Sequence, residues 1–392
     1  MKYDLAIVGG GIVGYLTALR CTDAGLRCVV IEAVDYLRSA SAHSAGGIYT
    51  QLHHGIGQYQ SDQFQNAITI VPLLKETTRA WLRLRQRLPD IPLEITGGMV
   101  VGCTEEDIDN LREKHYVERH YAMRTEMVDS QCARTWSADL SRSVRGGTYA
   151  IDEGHCLPVP LLRQAKSEFI RSGGTVMEGT AVVAIEKANH GVVLSLSLRG
   201  EIHAQQAVLA CGAFLDRFLG HIGIARHVTR LPIQMLVIRN TTACIPHLTR
   251  RVGRKLSVKR VDSRHLWIGG GWPMDELAPE AWVPQVSQES VKANVAEAIA
   301  VFPSLSGATV TEAWGSFAAW TTDGLPMIGP LSTLPGVFMA LGGNGYSLGP
   351  LYSEVLSDLV LDHPVKFDLT SFSPDRYLCP KSIANTTYLV PD

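Results

Sequence analysis

The sequence predicts an α/β chain of two interleaved lobes, a doubly wound nucleotide-binding domain and an α+β second domain built on a mixed sheet. Three observations predict it. An apolar strand, Tyr3 to Val8, runs directly into Gly9-Gly10-Gly11-Ile12-Val13-Gly14 and a helix-like stretch that reaches Gly25. A second strand, Arg27 to Ile31, ends on the acid Glu32. Far downstream, Thr175 to Glu178, Ala181 to Lys187, Gly191 to Leu198 and Gln206 to Ala210 alternate like strands and return the chain to its first lobe.

The first glycines have separate tasks in such a Rossmann-like turn. Gly9 permits the tight turn, Gly11 lets the amides around Ile12 and Val13 approach a pyrophosphate, and Gly14 lets the helix lie close on the strand. Glu32, roughly 20 residues past the glycines, suits the two hydroxyls of an adenosine ribose and would repel a 2′-phosphate. FAD or NAD is the ligand class this predicts.

Composition narrows the partners. Lys plus Arg is 36 and Asp plus Glu is 38, a formal charge of −2, which gives no electrostatic reason to expect nucleic acid. A small, nearly neutral substrate fits better. The 8 cysteines lie scattered without CxxC or CxxxC spacing, so no zinc or iron–sulfur site is expected, and buried free thiols in a reducing cytoplasm are. No stretch reaches about 18 apolar residues, and membrane contact is expected to be peripheral at most.

Between the two nucleotide-binding stretches the elements follow in order. Ser39 to Tyr49 is a run of small residues, too polar for core, whose side chains let backbone approach a flat ring. Residues 62–88 read as helix, bent at Pro72, with Trp81, Leu84 and Leu88 on one face and Arg79, Arg83 and Arg87 on another. Glu94 to Cys103 reads as a hairpin or glycine-broken strand pair, and Glu105 to Arg119 as a charged helix capped by Thr104. Leu161 to Ser172 reads as a helix closing at Gly173-Gly174. Val208 to Ala213 is a buried strand ending in glycine, a place where backbone passes close to a ligand. Strands of Arg230 to Gly271 and a helix over Ser287 to Phe302 belong to the second lobe. The last part carries a turn at Thr321-Thr322-Asp323-Gly324-Leu325-Pro326, a strand from Gly336 to Leu341, a second glycine loop, Gly342 to Pro350, and a final helix. The expected division is 1–80, 146–220 and 315–392 for the nucleotide-binding domain, and 81–145 and 221–314 for the substrate domain.

These motifs, DLAIVGGGIVG with Glu32, SASAHSAGG, GTAVVAIE followed by VLACGAFL, TTDGLPMIG and ALGGNGYSLGP, resemble the D-amino-acid oxidase superfamily of FAD enzymes over nearly the whole chain. The resemblance implies FAD, held at Gly9, Gly11 and Gly14 through pyrophosphate, at Glu32 through ribose, at Val182 through adenine, and at Ala45-Gly46-Gly47 and Gly343-Asn344-Gly345-Tyr346 through isoalloxazine. By position Ile12, Val13, Ala33, Ser41, Ser44, Cys211, Gly212, Gly329 and Ser347 complete the cofactor contacts. His43 is placed like the histidine that some relatives join covalently to flavin, although a non-covalent cofactor is expected here.

Where the chain departs from the family, the substrate end is affected. Glycine and D-amino-acid oxidases carry a carboxylate-binding arginine a few residues before TxDGxP, where this chain has Ala318. Monomeric sarcosine oxidase carries one just after the small-residue loop, where this chain reads Ile48-Tyr49-Thr50-Gln51-Leu52-His53-His54. Either Gln51, His53, His54 or Tyr346 holds the carboxylate, or the substrate lacks one there. Trp267, Trp272 and Trp320 wall an apolar pocket or simply pack, and Asp323 caps its own turn. The segments look closest to flavin subunits of heteromeric sarcosine, opine and hydroxyproline dehydrogenases.

The expected activity is oxidation of a small amino acid or N-substituted amino acid at its C–N bond, with hydride passing to flavin N5. A lysine that favours oxygen chemistry in monomeric sarcosine oxidase finds no counterpart in Leu266 to Trp272, and Lys255 and Lys259 precede that strand. A dehydrogenase serving a dye, quinone or iron–sulfur partner subunit is therefore expected. A flavin-carrying relay or assembly subunit and a flavin monooxygenase are the competing readings.

Overall fold

The computed structural model describes residues 2–52, 61–198, 200–215, 224, 227–239, 242–275 and 284–378. Two eight-stranded sheets and one of three strands organise them. In the first sheet Lys2–Val8 lies between Glu201–Leu209 and Cys28–Ile31, all parallel, and Thr175–Met177 extends the run beyond Cys28–Ile31. Val337–Leu341 pairs in parallel with Ala207 to Leu209, while Val192–Leu196 pairs antiparallel with the start of the same strand. Alternate residues of the first strand serve two cores. Leu5 and Ile7 pack with helices Ile12–Asp23, Val71–Arg87, Pro158–Arg171 and Gly349–Val360, whereas Ala6 and Val8 pack with Leu194, Leu209 and Met339. Cys28–Ile31 is buried throughout, as befits a strand covered on both faces.

The second sheet runs in the order Thr309–Thr321, Val228–Arg239, His265–Pro273, Ser257–Arg260, Leu248–Arg251, Gly98–Gly102, Gly146–Ala150, Thr125–Asp129. Helix Gln288–Val301 seals one face of it, with Ala298 and Val301 buried beside Leu266 and Ile268. The third sheet joins Gly47–Ile48 and Leu93–Glu94 to Gly154–Cys156 and thereby bridges the small-residue loop to the second lobe.

Several local readings change. Of the two readings of Glu94 to Cys103, the glycine-broken strand pair holds and the hairpin does not: Leu93–Glu94 and Gly98–Gly102 join different sheets, with Gly97, at φ +75°, turning the chain between them. The helix over 62–88 is two helices, Ser61–Thr69 and Val71–Arg87, broken just before Pro72. Its arginine face is spoken for, since Arg79 and Arg83 meet Glu76, Arg83 also meets Glu354, and Arg87 meets Asp23 and Glu168. Glu105–His120 begins with the capping box Thr104/Asp107. Gly146–Ala150 and the whole of Thr309–Thr321 pair in the second sheet. No helix among the described residues is long and apolar enough to cross a membrane.

Candidate active site

Gly9 holds φ at +109°, and its N–H donates to Ile31 O at 2.8 Å, which fastens the turn to the second strand. A Cβ on Gly9 would lie 2.6 Å from Ala210 O, and one on Gly14 only 1.9 Å from Gly9 O. Neither position accepts a side chain. Helix Ile12–Asp23 thus starts against the turn, at the carboxyl end of parallel strands where such sheets bind ligands. Ser41 Oγ accepts from Ile12 N–H at 2.9 Å in the space that a Cβ on Gly11 would take. Glu32 is buried, with Oε2 accepting from Gly10 N–H at 2.6 Å and Oε1 from Val34 N–H at 3.1 Å. Burial lifts its pKa above the usual carboxylate value while these amides pull against the rise. Thr180 N–H donates to Glu32 O at 3.0 Å, which brings the strand beginning at Val182 beside the acid.

The two small-residue loops meet around Tyr49. Ser347 Oγ accepts from Tyr49 N–H at 2.8 Å, and Trp81 Nε1 donates to Ser347 O at 2.7 Å. Tyr346 Oη donates to Cys156 O at 2.9 Å, and Cys156 N–H donates to Gly46 O at 2.9 Å. Among the described residues a Cβ on Gly212 would meet nothing within 4 Å, and one on Gly345 only Gly342 O at 3.6 Å. Backbone with open space at its side suits a flat ligand.

Above these loops stands one face of the second sheet. Trp314 Nε1 donates to His43 O at 3.1 Å, and Trp267 meets Trp314 edge to face at 5.1 Å. Lys259 pairs with Trp267 across the hairpin, its Nζ 4.9 Å from the ring centroid. That Nζ would lie 3.2 Å from a Cβ on Gly46. Lys259 is 3% exposed and has no hydrogen-bond partner among the described residues. Burial pulls its pKa down to about 7. Neighbouring His155, also buried and with Nδ1 unpartnered, is pulled to about 3, by burial first and Lys259 second.

Immediately after the loop, two buried carboxylates grip three successive amides. Glu153 Oε1 accepts from Thr50 and Gln51 N–H, both at 2.9 Å, and Glu118 Oε1 accepts from Leu52 N–H at 2.9 Å. Arg250 Nη2 pairs with Glu153 at 2.8 Å and its guanidinium lies 4.8 Å from the Tyr49 ring, while Lys114 pairs with Glu118 at 2.7 Å. Each of these cations has its own carboxylate.

A sequence profile of the FAD dependent oxidoreductase (DAO) family matches residues 4–359. The chain belongs to this family. One of the opine oxidase subunits of Agrobacterium tumefaciens (strain Ach5) is 23% identical over 97% of this chain and 100% of its own length. Glycine oxidase of Geobacillus kaustophilus (strain HTA426) is 26% identical over 96% of this chain and 98% of its own. A crystal structure of glycine oxidase from Geobacillus kaustophilus matches the fold at a TM-score of 0.85, with 24% identity, over 96% of this chain and 100% of that one. The cofactor of this DAO-family protein is FAD, and the α/β fold with a mixed second sheet is the family's.

For a DAO-family protein the placement of the expected site residues is uneven. Those of the first turn lie together, with Cys211 against Gly9. Ser44 Oγ accepts from Gly46 N–H at 3.0 Å and shapes Ala45-Gly46-Gly47. His43 Nδ1 lies 3.1 Å from Ser39 O. In the second loop Gly343, at φ +58°, packs under Tyr352, and Asn344 O accepts from Leu348 N–H at 2.8 Å. Gly329, at φ +146°, pairs with Met339 in the first sheet.

Gln51 is not offered to a ligand, for its side chain donates to Gly98 O and accepts from Lys114 and Thr148 in a buried knot. Tyr346 has its hydroxyl committed to Cys156 O. His53 and His54 lie outside the described residues. Of the three tryptophans only Trp267 is tied to the loop region, by its edge on Trp314; Trp320 is exposed and Trp272 faces Lys255 at 5.9 Å. Asp323 caps its turn through Leu325 N–H and pairs with Arg376 at 2.8 Å. The strand Leu266 to Trp272 carries no lysine, as expected, but its hairpin partner brings Lys259 to the Gly46 loop, and reading the hairpin register from the turn at Asp262-Ser263-Arg264 was the signal that could have found it. Glu118, Glu153 and Arg250 had no sequence signal at all.

Proposed function

We propose that this FAD-dependent oxidoreductase oxidises the C–N bond of a small amino acid or N-substituted amino acid to an imine. The observation that carries the reading is the surface facing the Gly46-Gly47 loop, where Trp267 and Trp314 offer apolar walls and Lys259 a buried amino group with no hydrogen-bond partner among the described residues. FAD supplies the acceptor for the two electrons and the hydrogen that leave the substrate carbon. The chain's own part is to hold that carbon in place, keep water out and receive the ammonium proton. Trp267 and Trp314 do the second, and the Glu153 and Glu118 clamps fix the segment beside it. The FAD-binding part is drawn from three separated stretches, and we set its boundaries after Ala150 and after Thr321, because the strands ending there pair in the substrate-side sheet.

The acceptor has a second reading. A dye, quinone or iron–sulfur partner is expected on the ground that the strand Leu266 to Trp272 carries no lysine. Lys259 on the hairpin partner outweighs that ground and favours molecular oxygen, since a cation there stabilises developing negative charge. Anaerobic mixing with amino acids and N-substituted amino acids tests the reaction: bleaching of the flavin by substrate alone supports an active chain, and no bleaching by any of them leaves a relay or assembly subunit. Reoxidation of the reduced protein in air against an artificial acceptor separates oxidase from dehydrogenase.

A further inference from the structure

We infer that Lys259 is the anchor for the substrate's carboxylate, arriving at the encounter as a neutral amine and becoming charged with the proton that the substrate's own ammonium gives up. The inference rests on the proposed amino-acid reaction and names the recognition element that reaction lacks, since Ala318 and the Ile48 to Leu52 segment provide no arginine.

Charge pairing on this face isolates Lys259. Arg250 is matched by Glu153 and Lys114 by Glu118, at 2.8 and 2.7 Å. Arg250 opposes Ser257 across its strand pair, so Arg250, Ser257 and Lys259 share a face, yet among the described residues the acid gripping that face, Glu153, is already held by Arg250 and two amides. Among the described residues the groups around Lys259 are Trp267 on the neighbouring strand, Gly46 on the loop, and His155 and Cys156 on the bridging strand, with Tyr346 bound to Cys156 O. None of these is a carboxylate. His155 is kept neutral by burial and by Lys259, and burial holds the Cys156 thiol up at about 12. A buried ammonium without a counter-ion is costly, which is why Lys259 gives up its proton near pH 7. An arriving carboxylate supplies the missing counter-ion.

Protons balance. The neutral Lys259 amine takes one proton from the substrate ammonium, leaving a free amine with the lone pair that oxidation requires, and the new lysine ammonium pairs with the carboxylate of the same molecule. The amino and carboxylate groups of an α-amino acid are close enough for one Nζ to serve both. A carboxylate that lacks the ammonium must draw its proton from solvent instead.

Methoxyacetate, which keeps the carboxylate and replaces the amine by an ether, and methoxyacetamide, its uncharged counterpart, are the probes, read by perturbation of the flavin spectrum in the FAD-loaded protein. Methoxyacetate should bind with full affinity below about pH 7 and lose about tenfold per pH unit above it, taking up close to one proton per site in calorimetry at about pH 8. Methoxyacetamide should show neither effect. Lys259→Met should weaken methoxyacetate by about tenfold or more at about pH 6 and flatten its pH profile, with the amide unchanged; Lys259→Arg should restore affinity but remain flat with pH. A methoxyacetate-to-amide affinity ratio that stays constant with pH in the wild-type protein overturns the inference without needing any variant to fold. So does a Lys259→Met protein that binds methoxyacetate normally and is slowed only in its reoxidation by air. Failure of every amine to bleach the flavin would sink the proposed reaction and leave these binding ratios readable.

Discussion

Around Gly9 to Glu32 most contacts are made by backbone amides, glycine spaces and the Glu32 carboxylate of one stretch, joined by Ser41, Thr180 and Ala210 from elsewhere, whereas around Gly46 to Leu52 the segment is gripped by charged side chains brought from Glu118 and Glu153, with Arg250 and Lys259 beside them. The first end is wired by local geometry and tolerates almost no added atoms. The second depends on buried charge, matched twice and left unmatched once. Backbone dipoles need no counter-ion and bind any adenine dinucleotide alike, while a buried amine that charges only when a counter-ion arrives discriminates by charge and by pH.

The contrast can be broken from either end. The largest effect is expected from Gly14→Val, whose Cβ has only 1.9 Å to Gly9 O; the purified protein should retain no FAD by absorbance at any added concentration. At the other end Glu153→Ala strips Arg250 of its partner and frees the Thr50 and Gln51 amides, and should cost about 3–5 kcal/mol in urea unfolding. If the second end were merely solvated surface, the loss would be below about 1 kcal/mol.

Smaller changes sharpen the comparison. Glu32→Gln should weaken FAD binding by about 1.5–3 kcal/mol in fluorescence titration, the value of a hydrogen bond to a charged group, and leave methoxyacetate binding by the loaded protein unaltered. Lys259 adds a pH dependence with a definite sign. The unfolded chain keeps this lysine protonated up to its ordinary value of 10.5, whereas the folded chain releases the proton near 7, so the unfolded state binds more protons between them. Stability should rise with pH over that interval by about 1.4 kcal/mol per unit from this group, and Lys259→Met should remove the rise in urea titrations. The least effect is expected from Tyr346→Phe, about 1 kcal/mol, for the bond to Cys156 O.

The sequence by itself determined the first sheet's central strands, the helix between them, the glycine turn and Glu32, because each depends on neighbours in the chain: a strand period, a φ above zero, an acid at the end of the next strand. It also determined the DAO-family fold and FAD, through motifs spread from Asp4 to the final helix. Gln51 illustrates where local reading stopped. Its place after the flavin loop suggested a ligand-binding amide, but Lys114 and Thr148, far along the chain, close around it. Lys259 is the converse, a lysine with no motif around it that a hairpin register set opposite Trp267 and over Gly46. Whether a polar side chain is consumed by the interior or offered to a ligand depends on which distant partners arrive beside it, and those partners are fixed by sheet register and by the meeting of two lobes. Only the tertiary structure decided that Glu118 and Glu153 are already matched to cations and that Lys259 has no carboxylate partner among the described residues.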